Sequence, residues 1–206
     1  LPLILFLYEW LFFQNLDSAW LRKQVKWLTG FAIILAVLIF VYLGDNPAEK
    51  ILSGYERRDF TLIERLLTQP RIVIFYISLL IFPYPSRLNL AHDFSLSHSL
   101  LSPATTLLTI VSIAALLIAA VVAARKQRLV SFAIIWFCGN LVLESSIIGL
   151  ELIFEHRTYL PSVFPVMALV AWWLQVFKNR RFFVFVVFTV VVVFSYWTYQ
   201  RNQIWQ

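Results

Sequence analysis

The chain has 206 residues, of which 61% are apolar, 17% aromatic and only 14% charged, with a formal net charge of +6. A soluble domain averages roughly 45–50% apolar and about 25% charged residues, so this mixture, with a mean hydropathy of +0.79, excludes an ordinary soluble class and points to an integral membrane protein. The positive balance does not indicate nucleic acid, because Lys and Arg stand in short clusters beside apolar runs, where they act as topology signals.

A helix that crosses a bilayer needs roughly 20 mostly apolar residues. Residues 1–13 form a first candidate, short at its start. The opening Leu1-Pro2-Leu3, in the middle of a hydrophobic run and without a basic leader, reads as a fragment or a processed product. Residues 27–43 are a clear span. Asn46-Pro47 then marks a turn, and from Phe60 the apolar positions Ile63, Leu66 and Leu67 follow a helical spacing that Asp59 or Thr61 is placed to cap. This pattern predicts an amphipathic helix lying on the membrane surface with its charges in water.

Residues 72–82 are apolar but cover only about half a span and stop at Pro83. They predict a re-entrant or interfacial segment, with a packed core helix as the plainer alternative. Residues 103–124, 129–143, 160–177 and 182–197 complete the set. The expected fold class is therefore all-α integral membrane, a single multi-spanning domain over residues 1–206. It has about six transmembrane helices plus an interfacial amphipathic helix and a short re-entrant segment.

Orientation follows from the basic residues, which gather as Arg22, Lys23 and Lys26, as Arg125, Lys126 and Arg128, and as Lys178, Arg180 and Arg181. Cytoplasmic turns carry such an excess. Residues 44–71, 83–102, 144–159 and the C-terminus then fall on the outer side, periplasmic or luminal. That solution requires 72–82 not to cross, in agreement with its length.

Chemistry concentrates in residues 144–165, with Glu144, Glu151, Glu155, His156, Arg157 and Tyr159 between two spans. Charges at a bilayer boundary are costly and are usually paired or functional. Arg157 stands out because a guanidinium forks onto phosphate oxygens with parallel charge-assisted hydrogen bonds. Glu151 and Glu155 share a face if the stretch is helical. The plainer reading makes these interfacial charges, with Tyr159 as an aromatic anchor. In the preceding loop, His92, Asp93 and His98 are metal-ligand types, but their spacing fits no tight pattern and no metal is expected. Arg87 can join Arg157 at an anionic lipid headgroup. The single Cys138 excludes an internal disulfide. No nucleophile elbow, Gly-rich phosphate loop or paired-Cys zinc pattern occurs, and no cofactor is expected.

Several stretches resemble a family. Leu1-Pro2-Leu3-Ile4-Leu5 with Leu7-Tyr8-Glu9-Trp10 resembles a mid-protein helix of membrane proteins that carry tetratricopeptide repeats and are related to transmembrane O-mannosyltransferases. Arg58-Asp59-Phe60, Leu66-Leu67-Thr68-Gln69, Tyr76, Leu79-Leu80 and Phe82-Pro83 are similar to that family's central membrane region, and His92-Asp93-Phe94 sits where members show an aspartate-aromatic motif. Glu155-His156-Arg157-Thr158-Tyr159-Leu160-Pro161-Ser162 resembles the family's Glu-x-Arg-x-Tyr-Leu-Pro-Ser signature, the most specific element. Arg201-Asn202-Gln203-Ile204-Trp205 looks like the junction before the repeats.

The resemblance implies a multi-spanning glycosyltransferase of the GT-C type, with a polyprenyl-phosphate-linked sugar as donor on the outer face. It implies a lipid-phosphate site around Arg157, Tyr159, His156 and Glu155, with Arg87 as a further candidate. The catalytic acidic loop expected of this family would lie upstream of Leu1 and the repeats downstream of Gln206, so no catalytic residue is assigned in this chain and its status as an enzyme stays open. Expected partners are membrane lipid, the lipid-linked sugar, and a protein acceptor or neighbouring membrane subunits. The alternative is a non-catalytic membrane subunit or scaffold of a larger complex. A transporter would show spans broken by polar, Gly or Pro residues, and only Gly139-Asn140 offers that.

Overall fold

A computed structural model describes all residues except 1, 45, 89–91, 143, 177–178 and 204–206. Leu1, Lys178 of the third basic cluster and the closing Ile204-Trp205 are thus outside the described residues. The eight α-helices described are α1 (Pro2–Phe12), α2 (Ser18–Leu43), α3 (Pro47–Ser53), α4 (Leu62–Ile81), α5 (Thr105–Ala123), α6 (Arg128–Leu141), α7 (Tyr159–Val176) and α8 (Arg180–Gln203), with short 3-10 turns at Pro85–Arg87 and Glu155–Thr158. No strand occurs among the described residues.

Four segments are long and apolar enough to cross a membrane: Ser18–Tyr42, Thr105–Ala123, Glu155–Val176 and Arg181–Gln203. The expectation of about six spans is met only for these four, since α1 and α6 have 11 and 14 residues. At 1.5 Å per residue, helices of that length fall short of a hydrocarbon core of about 30 Å. Instead they pack on each other. Ile4 and Leu11 of α1 and Phe132 and Trp136 of α6 are buried in one cluster with Ala124. Gly139 lets α1 approach α6, because a Cβ there would sit 3.2 Å from the Ile4 Cδ1 atom.

The basic residues Arg22, Lys23 and Lys26 also sit differently from a free turn. Asp17 accepts the Ala19 and Trp20 N–H groups at 3.0 and 3.1 Å and starts α2 nine residues before the apolar run. An N-cap carboxylate satisfies helix donors that would otherwise be left open, so the helix begins where it is capped rather than where it becomes apolar.

The largest correction concerns residues 60–82. They do not divide into a helix from Phe60 and a separate re-entrant piece but contain one 20-residue helix, α4, that runs through Pro70 and packs from Ile72 onward as the plainer alternative of a core helix had it. Thr61 starts it with a capping box: its hydroxyl accepts the Glu64 N–H, and the Glu64 carboxylate accepts the Thr61 N–H at 2.8 Å. Proline removes one N–H from the helix ladder and normally breaks it, yet here tertiary burial carries the helix past it. Arg65, Thr68, Gln69, Ile72, Val73, Tyr76 and Leu79 are all buried, at spacings of three and four that make one continuous stripe. Its apolar half joins Phe137 and Leu141 of α6 and Ile153 in a second core cluster. Helix α6 is central, packed against α1, α5 and α7, whereas α8 leans on the Pro85–Arg87 turn and on α7. The spanning windows of α2 and α8 bury none of their residues inside the protein.

Candidate functional site

The polar half of the α4 stripe organises the loop between α6 and α7. Arg65 is fully buried (0% exposed). Its guanidinium donates to the Glu144 carbonyl at 2.6 Å, to the Ser146 carbonyl at 3.2 Å and to the Leu150 carbonyl. One cation thereby gives a donor to three backbone acceptors of an irregular segment that has no ladder of its own. Burial pulls the Arg65 pKa down from its ordinary value.

Three further side chains, Tyr55, Arg58 and Tyr76, tie the same loop. The Tyr55 hydroxyl donates to the Ile147 carbonyl at 2.7 Å, and Arg58 donates to the Gly149 carbonyl at 3.2 Å and to the Glu151 carboxylate. The Tyr76 phenol donates to the Phe154 carbonyl and accepts the Phe154 N–H at 2.9 Å. Gly149 lies so close to Gly54 that a Cβ on it would stand 2.6 Å from the Gly54 carbonyl oxygen. Gly149→Ala is therefore expected to push the two loops apart at a cost of about 1–3 kcal/mol, the scale of overpacking. Thermal unfolding in detergent and protease cleavage within residues 144–153 measure it, and an unchanged profile would refute the close approach.

Arg157 stands where this loop enters α7. Its Nη1 donates to the Glu151 carbonyl at 2.8 Å, its Nε lies 3.1 Å from Glu144 Oε2, and its guanidinium covers the Phe154 ring. The side chain is 9% exposed. The Glu144 contact is in ion-pair range but is not aligned as a hydrogen bond, and that carboxylate oxygen has no hydrogen-bond partner among the described residues. Burial raises the Glu144 carboxyl above its ordinary range, against the pull of Arg157, His156 and Arg65.

The other residues singled out from the sequence go to different places. Glu155 receives His92 Nε2 at 3.1 Å and lies 3.7 Å from Arg201 Nη1 of α8. Tyr159 is 83% exposed, and His156 stacks on Phe154. Arg87 donates to Ser78 Oγ at 2.6 Å, at the far end of α4. Glu151 and Glu155 share no helical face, because the chain before Glu155 is irregular. They pair with Arg58 and with His92 respectively. His92 and His98 separate as well, His98 contacting Glu64 at 2.7 Å. Among the described residues no three His, Cys, Asp or Glu side chains gather as a metal would need.

No protein-family model matches the chain, and neither a curated protein nor a solved structure does. The site is thus described by its own geometry: three guanidiniums, from Arg58, Arg65 and Arg157, converge on one loop and hold its carbonyls and the carboxylates of Glu144 and Glu151.

Arg65 was the functional neighbour that sequence reasoning missed. The signal was present, since Arg65 falls on the 3.6-residue stripe with Ile72, Val73 and Tyr76. Reading a surface helix from Phe60 and a separate apolar segment at 72–82 cut that stripe in two and left Arg65 on a face expected to be solvated. Arg71 was hidden in the same way. It donates to the Ser95 carbonyl at 2.7 Å and to Ser97 Oγ at 3.1 Å. Ser97 in turn joins Thr68 and Thr106 in a buried polar chain between α4 and α5.

Proposed function

We propose that this chain is the membrane portion of a glycosyltransferase that takes its sugar from a polyprenyl-phosphate carrier on the outer face of the membrane. The observation that carries this reading is the position of Arg157. It lies in the Glu155-His156-Arg157-Thr158-Tyr159-Leu160-Pro161-Ser162 stretch, at the foot of a helix long and apolar enough to span. A cation at that depth stands at headgroup level. Its partner Glu144 is held by charge without an aligned hydrogen bond, so a phosphate that accepts the guanidinium fork can displace it. On this reading α6, short as it is, carries the chain back across the bilayer between α5 and α7, so that Arg125, Lys126, Arg128 and Arg181 mark the cytoplasmic ends of their helices and the 144–158 loop lies outside.

The transfer is attack by an acceptor hydroxyl on the anomeric carbon, with the polyprenyl phosphate leaving. An acidic group takes the hydroxyl proton, and a cation such as Arg157 stabilises charge developing on the departing phosphate. The loop latches Arg58, Arg65 and Tyr76 would then be positioning residues.

Arg157→Ala in the complete protein, assayed in its native membrane with a lipid-linked sugar, is expected to cut transfer about 100-fold or more, the scale seen when a charge-stabilising donor is removed. Arg157→Lys, which keeps the charge beside Glu144 but loses the fork, should fall nearly as far while both variants remain inserted. Normal transfer by Arg157→Ala would remove the reading.

A second reading, a non-catalytic subunit of a larger membrane complex, draws on two observations. Arg157 is already paired, and the spanning windows of α2 and α8 bury none of their residues against the other described residues, which leaves most of their apolar surface open to a partner. A complete protein that transfers no sugar but co-purifies with other membrane subunits would select it.

A further inference from the structure

A cavity of about 520 Å³ lies between the Pro83–Leu88 turn and the last turns of α8. Its walls are Pro83, Pro85, Leu88, Phe194 and Trp197, and Arg201 stands at its polar end beside Thr198 and Asn202. A second depression shares Phe194, Thr198 and Asn202 and continues along α8 to Val190 and Val191. From Arg201 back to Val190 a helix rises about 16 Å at 1.5 Å per residue. The groove is therefore a cavity continued by a shallow, mostly apolar depression on one face of α8, with one guanidinium at the cavity's end.

The surroundings set its depth. Trp197 meets Phe82 and Tyr84 edge-on at 5.5 and 5.4 Å, and Tyr196 and Tyr199 are exposed beside them. Trp and Tyr gather in this way at membrane–water interfaces, and Arg201 lies one helical turn beyond Trp197, on the side away from the apolar run of α8. The rest of the α8 span carries no charge until Arg181. Arg201 is also within 3.7 Å of the Glu155 carboxylate, which accepts from His92 as well. That contact engages Nη1 beyond hydrogen-bond distance, and a guanidinium has five donors.

We propose that this groove binds an anionic membrane phospholipid, its phosphate on Arg201 and one acyl chain along Phe194, Val191 and Val190. Charge complementarity selects the occupant. An apolar helix segment would offer no acceptor to the Arg201 donors that do not face Glu155, whereas a lipid with a phosphate head satisfies both the wall and the cation. The inference stands without the transferase reading, because it uses neither Arg157 nor a sugar.

The test is native mass spectrometry of the detergent-purified chain titrated with phosphatidylglycerol, phosphatidylcholine and inorganic phosphate. Phosphatidylglycerol should bind with a stoichiometry near one, and phosphatidylcholine and inorganic phosphate far more weakly. Arg201→Gln should weaken phosphatidylglycerol about tenfold, the loss expected for a charge-assisted contact. Thr198→Trp, which fills the cavity and leaves the charge, should weaken it as much, with helix content and elution volume unchanged. Equal binding of the two lipids, binding of inorganic phosphate as tightly as of the lipid, or wild-type binding by either variant would overturn the proposal. Loss of sugar transfer in Arg157→Ala with intact lipid binding here would separate the two sites.

Discussion

Replacing Arg65 by Met is expected to destabilise the protein by about 3 kcal/mol or more, because three hydrogen bonds from a buried cation are lost and each bond to a charged group is worth roughly 1.5–3 kcal/mol. Three backbone acceptors, on Glu144, Ser146 and Leu150, receive this one guanidinium. Met fills much of the volume but donates nothing. The loop should then lose its fixed path first, since Tyr76 and Tyr55 hold it at single points. Unfolding in detergent measures the loss of stability. Limited proteolysis locates it, with new cleavage expected within residues 144–153. Arg65→Lys should fall between the two, keeping the charge but not the fork that reaches several carbonyls at once. A Met variant that melts and resists protease like the parent would show that the loop is held by other means.

Phe132→Ala should cost about 3–5 kcal/mol, the scale of large-to-small changes in a packed core. Phe132 is 1% exposed. Its ring meets Tyr8 at 5.4 Å, Phe12 at 5.6 Å, Phe164 at 4.8 Å and Trp136 at 5.9 Å. It therefore joins α1, α6 and α7, and its removal leaves a void that none of the three can close alone. Helix α1 is short and depends on this cluster, so it should loosen before the rest. Leu11→Cys in a Cys138→Ser background reports this directly. The thiol should be unreactive with Phe132 present and should label readily once Phe132 is Ala. Equal labelling in both backgrounds would mean that α1 is held elsewhere.

The candidate site was legible only as a set of residue types. Arg157 stands out in the sequence because a guanidinium forks onto phosphate oxygens, and the protein partners it finds, Glu144 and the Glu151 carbonyl, carried no signal there. The pairing of Arg58 with Glu151, across 93 positions of sequence, has no local signal, because neither residue lies in a periodic element whose register points at the other. The split of His92 from His98, one toward Glu155 and the other toward Glu64, depends likewise on how the 92–104 segment folds against α4.

Composition and period alone determined the helical class and the four long apolar helices, because an uninterrupted run of apolar residues has few ways to bury its backbone in lipid other than as a helix. The cap at Thr61 was equally local, requiring only a hydroxyl three residues before a carboxylate. Tertiary structure decided the fate of the ambiguous segments. Residues 62–81 hold a proline and a buried arginine, two features that argue against an internal helix. They form one because the rest of the stripe is covered by α5, α6 and the 144–154 loop. Burial of that face outweighs one missing ladder hydrogen bond, and the loop carbonyls supply Arg65 with the acceptors that water would otherwise provide. Local propensity is a property of a few neighbouring residues, whereas that balance depends on groups about 80 positions apart, brought together only when the chain is packed.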